Sequence, residues 1–406
     1  MRVLIIGSVW VEPTSTAAGS RMLQLMQLFL DQGWQLTFAT TAAPSQHAFD
    51  LKSLGIDIET IQLNDASFDA FAKLLSPQLV LFDRFMTEEQ FGWRIAEQCP
   101  DALRVLDTED LHCLRKAREL AVKEQCPFNQ KDLISDVAKR EIASIYRCDL
   151  TLMISTVEMQ LLQDFFKVPV DQLWYLPFLL EPLEDNFIPF EDRTHFVSIG
   201  NFLHTPNWDA VLQLKRHIWP LIRKELPKAE LHVYGAYPSE KVQQLHNVKE
   251  GFLIKGRAKD AFEVIQNAKV LLAPLRFGAG LKGKFIDAMQ CGTPSVTTAI
   301  GAEAMNSDLP WSGAIADVDS AFAKAAIKLY TQKQNWETAQ EHGVNIINAH
   351  FQKSLYAEAL LAQILKLSGE ISTHRMHNFT GQMLMHHSMK STMFMSKWIE
   401  AKNKTN

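Results

Sequence analysis

The chain has 406 residues, of which 47% are hydrophobic and 21% are charged, and this length predicts two domains of roughly 150 to 200 residues rather than one core. A formal net charge of -5 argues against a general nucleic-acid-binding protein, because such proteins carry a clustered basic surface. The five cysteines show no paired short spacing, which indicates neither a disulfide framework nor a zinc site.

The first half of the chain alternates short apolar runs with stretches of helical period. Strands are predicted at 2–7, 35–40, 56–63, 79–83, 103–107 and 150–155, and helices at 20–33, 68–75, 88–98 and 131–146. This alternation is typical of an α/β domain with a Rossmann-like, doubly wound parallel sheet. Ligands bind such sheets at the edge where the strands end.

The N-terminal apolar run is too short for a signal peptide, since Glu12 and Pro13 follow it at once. No segment offers about 18 consecutive apolar residues, the length that predicts a membrane-spanning helix. We therefore expect a cytoplasmic protein, located at most at the inner face of a membrane.

The alternation stops at 177–193, a stretch with three prolines and five acidic residues. It predicts a linker at 181–194, between a first domain at 1–180 and a second at 195–367. Strand and helix patterns then resume, and helices from 321 to 367 are expected to close the second domain.

Residues 368–406 differ in composition from the rest of the chain. Residues 369–406 contain six of the 14 methionines and five Lys or Arg against two Glu. Residues 382–399 could form an amphipathic helix with Met, Phe and Trp on one side and lysines on the other. Such a helix suits a membrane surface or a partner groove, and a poorly ordered tail is the alternative.

The stretch LRFGAGLKGKFIDAMQCGTPSV at 275–296 places glycines and two lysines between a predicted strand and a helix that is expected to begin near Gly280. Free N–H groups at a helix start attract anions, and glycines let a ligand approach the backbone. Phosphate is the natural ligand, with Lys282 or Lys284 as its cation. A tight turn with solvent-facing lysines is the alternative.

The segment 273–305, together with GNFLHTPNWDA at 200–210, LHVYGAYP at 231–238 and IKGRAKD at 254–260, resembles retaining GT-B glycosyltransferases, in particular glycosyltransferase family 4 (glycosyl transferases group 1). The likeness covers residues 1–365. It implies two Rossmann-like domains facing a cleft, with a nucleotide-sugar donor on the second domain and the acceptor on the first.

The resemblance also implies a donor site. Asp287 takes the place of a glutamate that binds ribose hydroxyls, the backbone at 256–258 meets the base, and 278–284 faces the diphosphate and the sugar. The implied donor-binding residues are Gly200, His204, Asn207, Gly256, Arg257, Gly278, Ala279, Gly280, Leu281, Lys282, Lys284 and Asp287.

Two positions depart from the family pattern. Ala279 stands where a first glutamate contacts donor-sugar hydroxyls, so backbone N–H groups of 279–281 are expected to substitute for it. His204 and Asn207 stand in the loop where Arg and Lys usually neutralise the diphosphate. Lys282 and Lys284 are therefore the expected cations, since a transferase of this type depends on such electrostatic help.

In the first domain the resemblance places Gly19 and Arg21 on the acceptor side of the cleft. Glu109 and Asp110 stand near a loop that touches the donor sugar, and with Lys282 they are the candidate catalytic residues. Retaining transfer needs no protein nucleophile in this family, whereas a carboxylate base would suit inversion. Asp107, at a strand end, is equally explained as a helix cap.

The sequence thus predicts a glycosyltransferase that moves a sugar from a nucleotide diphosphate to a glycan or lipid-linked acceptor in cell-envelope polysaccharide or glycoconjugate synthesis. No metal or cofactor is expected, nucleic acid is not an expected partner, and the C-terminal segment allows peripheral membrane contact. Because of Ala279, a non-catalytic sugar- or nucleotide-binding scaffold stays open as an alternative, as does a nucleotide-sugar epimerase.

Overall fold

The computed structural model describes residues 1–404, except for the side chains of residues 387–389. The first half forms a parallel sheet with the strand order β3-β2-β1-β4-β5-β6-β7. Its strands are β1 Arg2–Gly7, β2 Gln35–Thr40, β3 Asp57–Thr60, β4 Leu79–Asp83, β5 Leu103–Asp107, β6 Leu150–Met153 and β7 Leu173–Tyr175. The helices between them are α1 Ala17–Leu30, α2 Ser67–Leu75, α3 Phe85–Gln98, α4 His112–Lys123, α5 Asp136–Arg147 and α6 Thr156–Asp164.

The second half repeats this plan with the strand order β10-β9-β8-β11-β12-β13. Its strands are β8 Thr194–Ile199, β9 Leu231–Tyr234, β10 Phe252–Gly256, β11 Ala268–Ala273, β12 Ser295–Thr297 and β13 Gly313–Ile315. Its helices are α7 Thr205–Gln213, α8 Trp219–Glu225, α9 Glu240–Gln243, α10 Ala261–Gln266, α11 Gly283–Gln290, α12 Ala299–Ala302, α13 Asp319–Thr331 and α14 Lys333–His350.

Apolar residues cover both faces of each sheet, which is why the central strands read as continuous hydrophobic runs. In β1, Ile5 lies opposite Phe38 on one side and Leu81 on the other, and these side chains are at most 1% exposed. Alternate residues of the strand feed two separate cores, one under each helical layer. Both halves therefore have the predicted doubly wound α/β architecture.

The chain crosses between the domains twice. On the first crossing, Leu180 donates its N–H to Phe351 O at 2.8 Å and accepts from Lys353 N at 2.8 Å. After α14 the chain returns in α15 (Ala357–Gly369), whose Leu360 and Ile364 are buried in the core of the first domain. The helices α13 and α14 cover the second sheet, but α15, predicted to close the second domain up to residue 367, packs on the first.

The C-terminal segment forms two further helices, α16 (Ile371–His377) and α17 (Phe379–Lys404). Arg375 holds α16 to the first domain, because its Nη2 lies 2.7 Å from Asp149 Oδ2. α17 packs on α3 and α5, where buried Arg94 forms ion pairs with Glu400 and with Asp69. In the part of the chain that the structure describes, no helix is long and apolar enough to cross a membrane.

Candidate active site

The carboxyl ends of both sheets open on one cleft with a volume of about 580 Å³. The first domain lines it with polar groups from its strand-to-helix loops and from α4, including Thr14, Thr16, Arg84, Glu109, Asp110 and Arg115. The second domain contributes Gly200, His204, Asn207, Arg257, Gly278, Ala279, Leu281, Lys282, Lys284 and Asp287. The topology therefore brings most of the predicted site residues to one cavity.

The glycine-rich stretch forms a tight loop between β11 and α11, and α11 begins at Gly283 rather than near Gly280. Thr298 Oγ1 donates to Leu275 O at 2.5 Å and pins the start of the loop. Among the described residues, the N–H groups of Leu281 and Lys282 have no protein acceptor. These free donors stand at the start of a helix, where unpaired N–H groups favour an anion.

Lys284 and Asp287 lie on the first turns of α11. Lys284 Nζ donates to Asn207 Oδ1 at 2.7 Å, while Asn207 Nδ2 donates to Asn201 O at 3.0 Å, so the lysine is held toward the cleft by an oriented amide. Burial lowers the pKa of Lys284 to about 8, against the opposing charge of Asp287. Burial also raises the pKa of Asp287 to about 7, with Lys284 opposing the rise.

Lys282 points differently. Its Nζ donates to Gly280 O at 2.8 Å, and its side chain is 8% exposed. Burial lowers its pKa to about 8, opposed by the charges of Glu303 and Glu158. Lys282 therefore reinforces the loop from within, and Lys284 is the better placed of the two lysines for an anion in the cleft.

Across the cleft, the loop after β5 carries Glu109 and Asp110. Glu109 has a φ of 62°, a strained conformation for a residue with a side chain, and its Oε1 is buried without a partner in the described structure. Burial, reinforced by the charge of Asp107, raises the pKa of Glu109 well above its usual value. Asp110 is instead paired with Arg115, at 2.8 Å between Oδ2 and Nη1.

Arg21 and Gly19, predicted on the acceptor side, lie beneath the cleft wall. Arg21 is 1% exposed, its Nη2 lies 3.1 Å from Asp107 Oδ1, and its Nη1 donates to Leu176 O at 2.5 Å. Gly19 packs so tightly on the Glu12 backbone that a Cβ would come within 2.4 Å. Asp107 is thus a buried ion-pair partner rather than a helix cap, and neither Arg21 nor Gly19 is placed to contact an acceptor.

On the donor side, two of the predicted residues, Gly256 and Gly280, do not line the cleft. The N–H of Gly280, which was expected to face the sugar, donates to Glu158 Oε1 at 2.8 Å. Within the described residues, no group of three or more His, Cys, Asp or Glu side chains is arranged to hold a metal ion.

Sequence reasoning missed several charged groups at or behind the cleft. Arg84 reaches it from the start of α3 with a φ of 71° and donates to Ser8 Oγ at 2.5 Å. Arg257 is predicted to meet the nucleotide base with its backbone, but sequence reasoning missed the bridge that its side chain forms between the domains, in which Nη2 donates to Thr14 Oγ1 at 2.9 Å. Glu158 gave one local signal, because Ser155-x-x-Glu158 has the spacing of a capping box, but that motif did not predict the contact with Gly280.

Comparison with known proteins agrees with this geometry. Residues 193–332 match the family model described as Glycosyl transferases group 1, and no curated protein matches the chain. Sucrose-phosphate synthase from Thermosynechococcus elongatus is similar in structure, with a TM-score of 0.66 at 16% identity, covering 90% of this chain and 98% of that one.

Two further solved structures have the same architecture. The pneumococcal O-GlcNAc transferase GtfA, in complex with UDP and GlcNAc, has a TM-score of 0.65 at 11% identity and covers 90% of this chain and 99% of its own. WaaG, a glycosyltransferase involved in lipopolysaccharide biosynthesis, has a TM-score of 0.60 at 12% identity, with coverage of 88% and 98%. The second domain is therefore similar to the group 1 glycosyl transferases over residues 193–332, and the whole chain has the two-domain GT-B fold.

Proposed function

We propose that the protein transfers a sugar, with retention of configuration, from a nucleotide diphosphate bound by the second domain to an acceptor held against the first. The observation that carries this proposal is the arrangement at the start of α11. Free N–H groups of Leu281 and Lys282, the Lys284 ammonium and the Asp287 carboxyl all meet at one cleft. Together they offer the donors a diphosphate needs and an acceptor for a ribose diol.

In this proposal Lys284 and the free amides stabilise the charge that develops on the leaving diphosphate. Asp287 accepts hydrogen bonds from the ribose hydroxyls, and Arg257 and Ala258 border the base. Because protein groups supply the positive charge, the reaction is expected to proceed without a metal ion or other cofactor. Full activity after treatment with EDTA would support that part, and restoration by Mg²⁺ alone would overturn it.

The chemistry of the first-domain wall supports retention rather than inversion. An inverting enzyme needs a general base that is free to take the acceptor proton, but burial raises the pKa of Glu109 well above its usual value and so disfavours its ionised form, and Asp110 is engaged by Arg115. In a front-face transfer the bond from the anomeric carbon to the phosphate oxygen breaks while the bond to the acceptor oxygen forms on the same face. The acceptor proton then passes to the leaving phosphate, so no protein base is needed.

The alternatives have less support from the cleft. An epimerase requires both an acid and a base, and Asp110 in an ion pair with Arg115 is poorly suited to either role. A scaffold that binds no nucleotide would leave the strongly shifted pKa values of Lys284 and Asp287, which are typical of functional sites, without a role. Ala279 is the observation that keeps the scaffold alternative testable.

A screen of nucleotide sugars for hydrolysis and binding tests the proposal. We expect a nucleoside diphosphate to raise the melting temperature, and one or more nucleotide sugars to be hydrolysed slowly without an acceptor. Lys284→Ala and Asp287→Ala should both lose this binding, whereas the exposed control Lys333→Ala should keep it. Nucleotide binding without hydrolysis or transfer of any sugar would favour the scaffold.

The acceptor is proposed to be a glycan or a lipid-linked sugar at an anionic membrane surface. α17 leaves one face uncovered, with exposed Phe379, Met383, Phe394, Met395 and Trp398 beside exposed Lys390, Lys397, Lys402 and Lys404. Its one acidic residue, Glu400, pairs with Arg94 on the opposite side. Aromatic and basic groups on one face suit the interface of an anionic bilayer.

Substitution tests this surface better than truncation, because deleting residues 369–406 would uncover the Arg94 and Asp149 side chains that α16 and α17 now cover. Phe394→Glu with Trp398→Glu should abolish sedimentation with vesicles containing phosphatidylglycerol. Leu74→Glu is the matched control, since Leu74 is an exposed apolar residue on α2. Equal sedimentation of both variants, or equal binding of the wild type to neutral vesicles, would contradict a charged membrane-binding face.

A further inference from the structure

Two side chains of the first domain form hydrogen bonds with the backbone on either side of Ala279. On one side, Arg118 Nη1 donates to Gly278 O at 2.9 Å. On the other, Gly280 N donates to Glu158 Oε1 at 2.8 Å. Both peptide groups of the residue that replaces the family's glutamate are therefore held from the opposite domain.

One carboxyl oxygen of Glu158 accepts hydrogen bonds from two loops. Its Oε1 also accepts from Leu111 N at 3.0 Å, immediately after the loop that carries Glu109 and Asp110. The side chain is fully buried, at 0% exposure, although it stands in the first turn of α6, where a glutamate is normally solvated. Its N–H is bonded to Ser155 Oγ at 3.4 Å, so the local helix start is capped without the carboxyl group.

The two loops that Glu158 joins are in close contact. A Cβ on Gly280 would come within 2.9 Å of Asp110 Cβ and 3.0 Å of Glu109 O, and Gly280 has a φ of 61°. The fit requires glycine at this position. This close contact leaves little room for the loop at 278–281, the donor loop, to shift without also moving the loop of Glu109 and Asp110.

Arg118 makes the second contact with this loop and is itself held in place by an ion pair. Besides Gly278 O, its guanidinium binds both oxygens of Glu303, at 2.8 Å from Nη1 and 2.7 Å from Nη2. This bidentate pair, the stronger form of a charge-assisted hydrogen bond, fixes the donor of the Gly278 bond in direction. Arg118 projects from α4, so a helix of the first domain sets the orientation of a peptide in the second.

We propose that Glu158 and Arg118 are positioning residues that orient the 278–281 backbone for the donor, in place of a side-chain contact at position 279. This inference rests on the proposed function and deepens it. Neither residue touches the donor. They direct the free Leu281 and Lys282 amides toward the diphosphate and keep the donor loop in register with Glu109 and Asp110.

The first test is amide hydrogen exchange in the full chain, which requires no substrate. In Glu158→Ala the peptide that covers 278–282 should exchange at least about tenfold faster, since the Gly280 N–H loses its buried acceptor. Glu158→Gln keeps an acceptor oxygen and should restore protection. Unchanged exchange in Glu158→Ala, or exchange in Glu158→Gln as fast as in Glu158→Ala, would contradict the proposal that Glu158 orients this loop.

The second test is kinetic. Glu158→Ala should raise the donor KM roughly tenfold and leave the acceptor KM within about twofold, and Glu158→Gln should recover most of the loss. Arg118→Lys keeps the charge but loses the bidentate geometry, and should show the same donor-specific defect in a protein of unchanged melting temperature. Equal loss toward donor and acceptor would contradict a positioning role.

Absence of transferase activity and absence of a positioning role for Glu158 and Arg118 give different results in these experiments. If the wild type transfers no sugar, the proposed function fails, while the exchange experiment still decides whether Glu158 and Arg118 hold the loop. If the wild type is active but Glu158→Ala shows wild-type kinetics and exchange, the proposed function stands and the positioning role is lost. Should Glu158→Ala fail to fold, Arg118→Lys carries both measurements.

Discussion

Lys284 and Asn207 meet at 2.7 Å between Nζ and Oδ1, across the gap between the first helix of the second domain and the helix that follows the glycine loop. Asn207 stands where the family resemblance implies a cation, and it contributes no charge. It instead orients the lysine of another element. In the proposed donor site, the positive charge expected near the start of α7 is thus supplied by Lys284 of α11, and Asn207 orients it.

Removal of this cation should weaken nucleotide binding while the fold persists. We expect Lys284→Ala to raise the dissociation constant for a nucleoside diphosphate roughly 10- to 100-fold, the loss typical of a charged hydrogen-bonding partner. Asn207→Ala should cause a smaller loss, because the ammonium stays but is no longer oriented. Calorimetry with the exposed control Lys333→Ala checks both, and a larger effect from Asn207→Ala would contradict the guiding role.

The shifted pKa values predict a narrow pH optimum for donor capture. Asp287 has its pKa raised to about 7, so the carboxylate that accepts from ribose forms only as the pH rises through that value. Lys284 has its pKa lowered to about 8, so its charge is lost as the pH rises further. The donor kcat/KM, which reports the free enzyme, should therefore peak between about 7 and 8.

Asp287→Asn is the variant that identifies the acidic limb of this profile. It should lower the donor kcat/KM at the optimum and flatten the profile below pH 7, while the decline above about pH 8 persists. An acidic limb that survives in Asp287→Asn would assign it to another group.

Local sequence determined much of the fold because the strands are short apolar runs between helices of clear period. Residues 79–83 and 103–107 were predicted strands, and both are strands with the same bounds. The C-terminal segment could not be placed in this way. α15, α16 and α17 pack on a domain whose sequence ended about 180 residues earlier, and only tertiary contacts such as Arg375 with Asp149 determine that return.

The site was predictable where its residues are close in sequence. Residues 278–287 lie on one strand-loop-helix unit, so a loop motif sufficed to bring Lys284 and Asp287 together. Glu158 and Gly280 are 122 positions apart and in different domains, and no periodicity indicates such a pair. The burial of Arg21 could not be predicted for a related reason, because nothing local shows that a cation near a glycine loop is paired beneath the surface with Asp107.

That buried pair leads to a prediction about stability. Arg21 and Asp107 are 1% and 0% exposed, and Asp107→Ala would leave a buried guanidinium without its carboxylate. Loss of one partner of such a pair typically costs about 3–5 kcal/mol of unfolding free energy. Urea denaturation should show this loss, against no more than about 0.5 kcal/mol for the exposed control Asp101→Ala. A small loss accompanied by a specific acceptor defect would instead support the acceptor-side role.

Ala279 allows a test in the opposite direction, by introducing the glutamate that the family resemblance implies. The Ala279 methyl packs against the apolar core of the first domain, between the peptides held by Arg118 and Glu158. A carboxylate there would lose hydration against this apolar core, and it would compete with Glu158 and Glu303 for the nearby cations Lys282 and Arg118, which are already engaged.

We therefore expect Ala279→Glu to lower both the melting temperature and the donor kcat/KM, although it restores a family feature. Ala279→Gln, of similar volume without charge, separates size from charge and should be damaged less. A gain of activity in Ala279→Glu would mean that the new side chain turns into the cleft. The hydrogen bonds of Arg118 and Glu158 to the flanking peptides would then leave enough room for it.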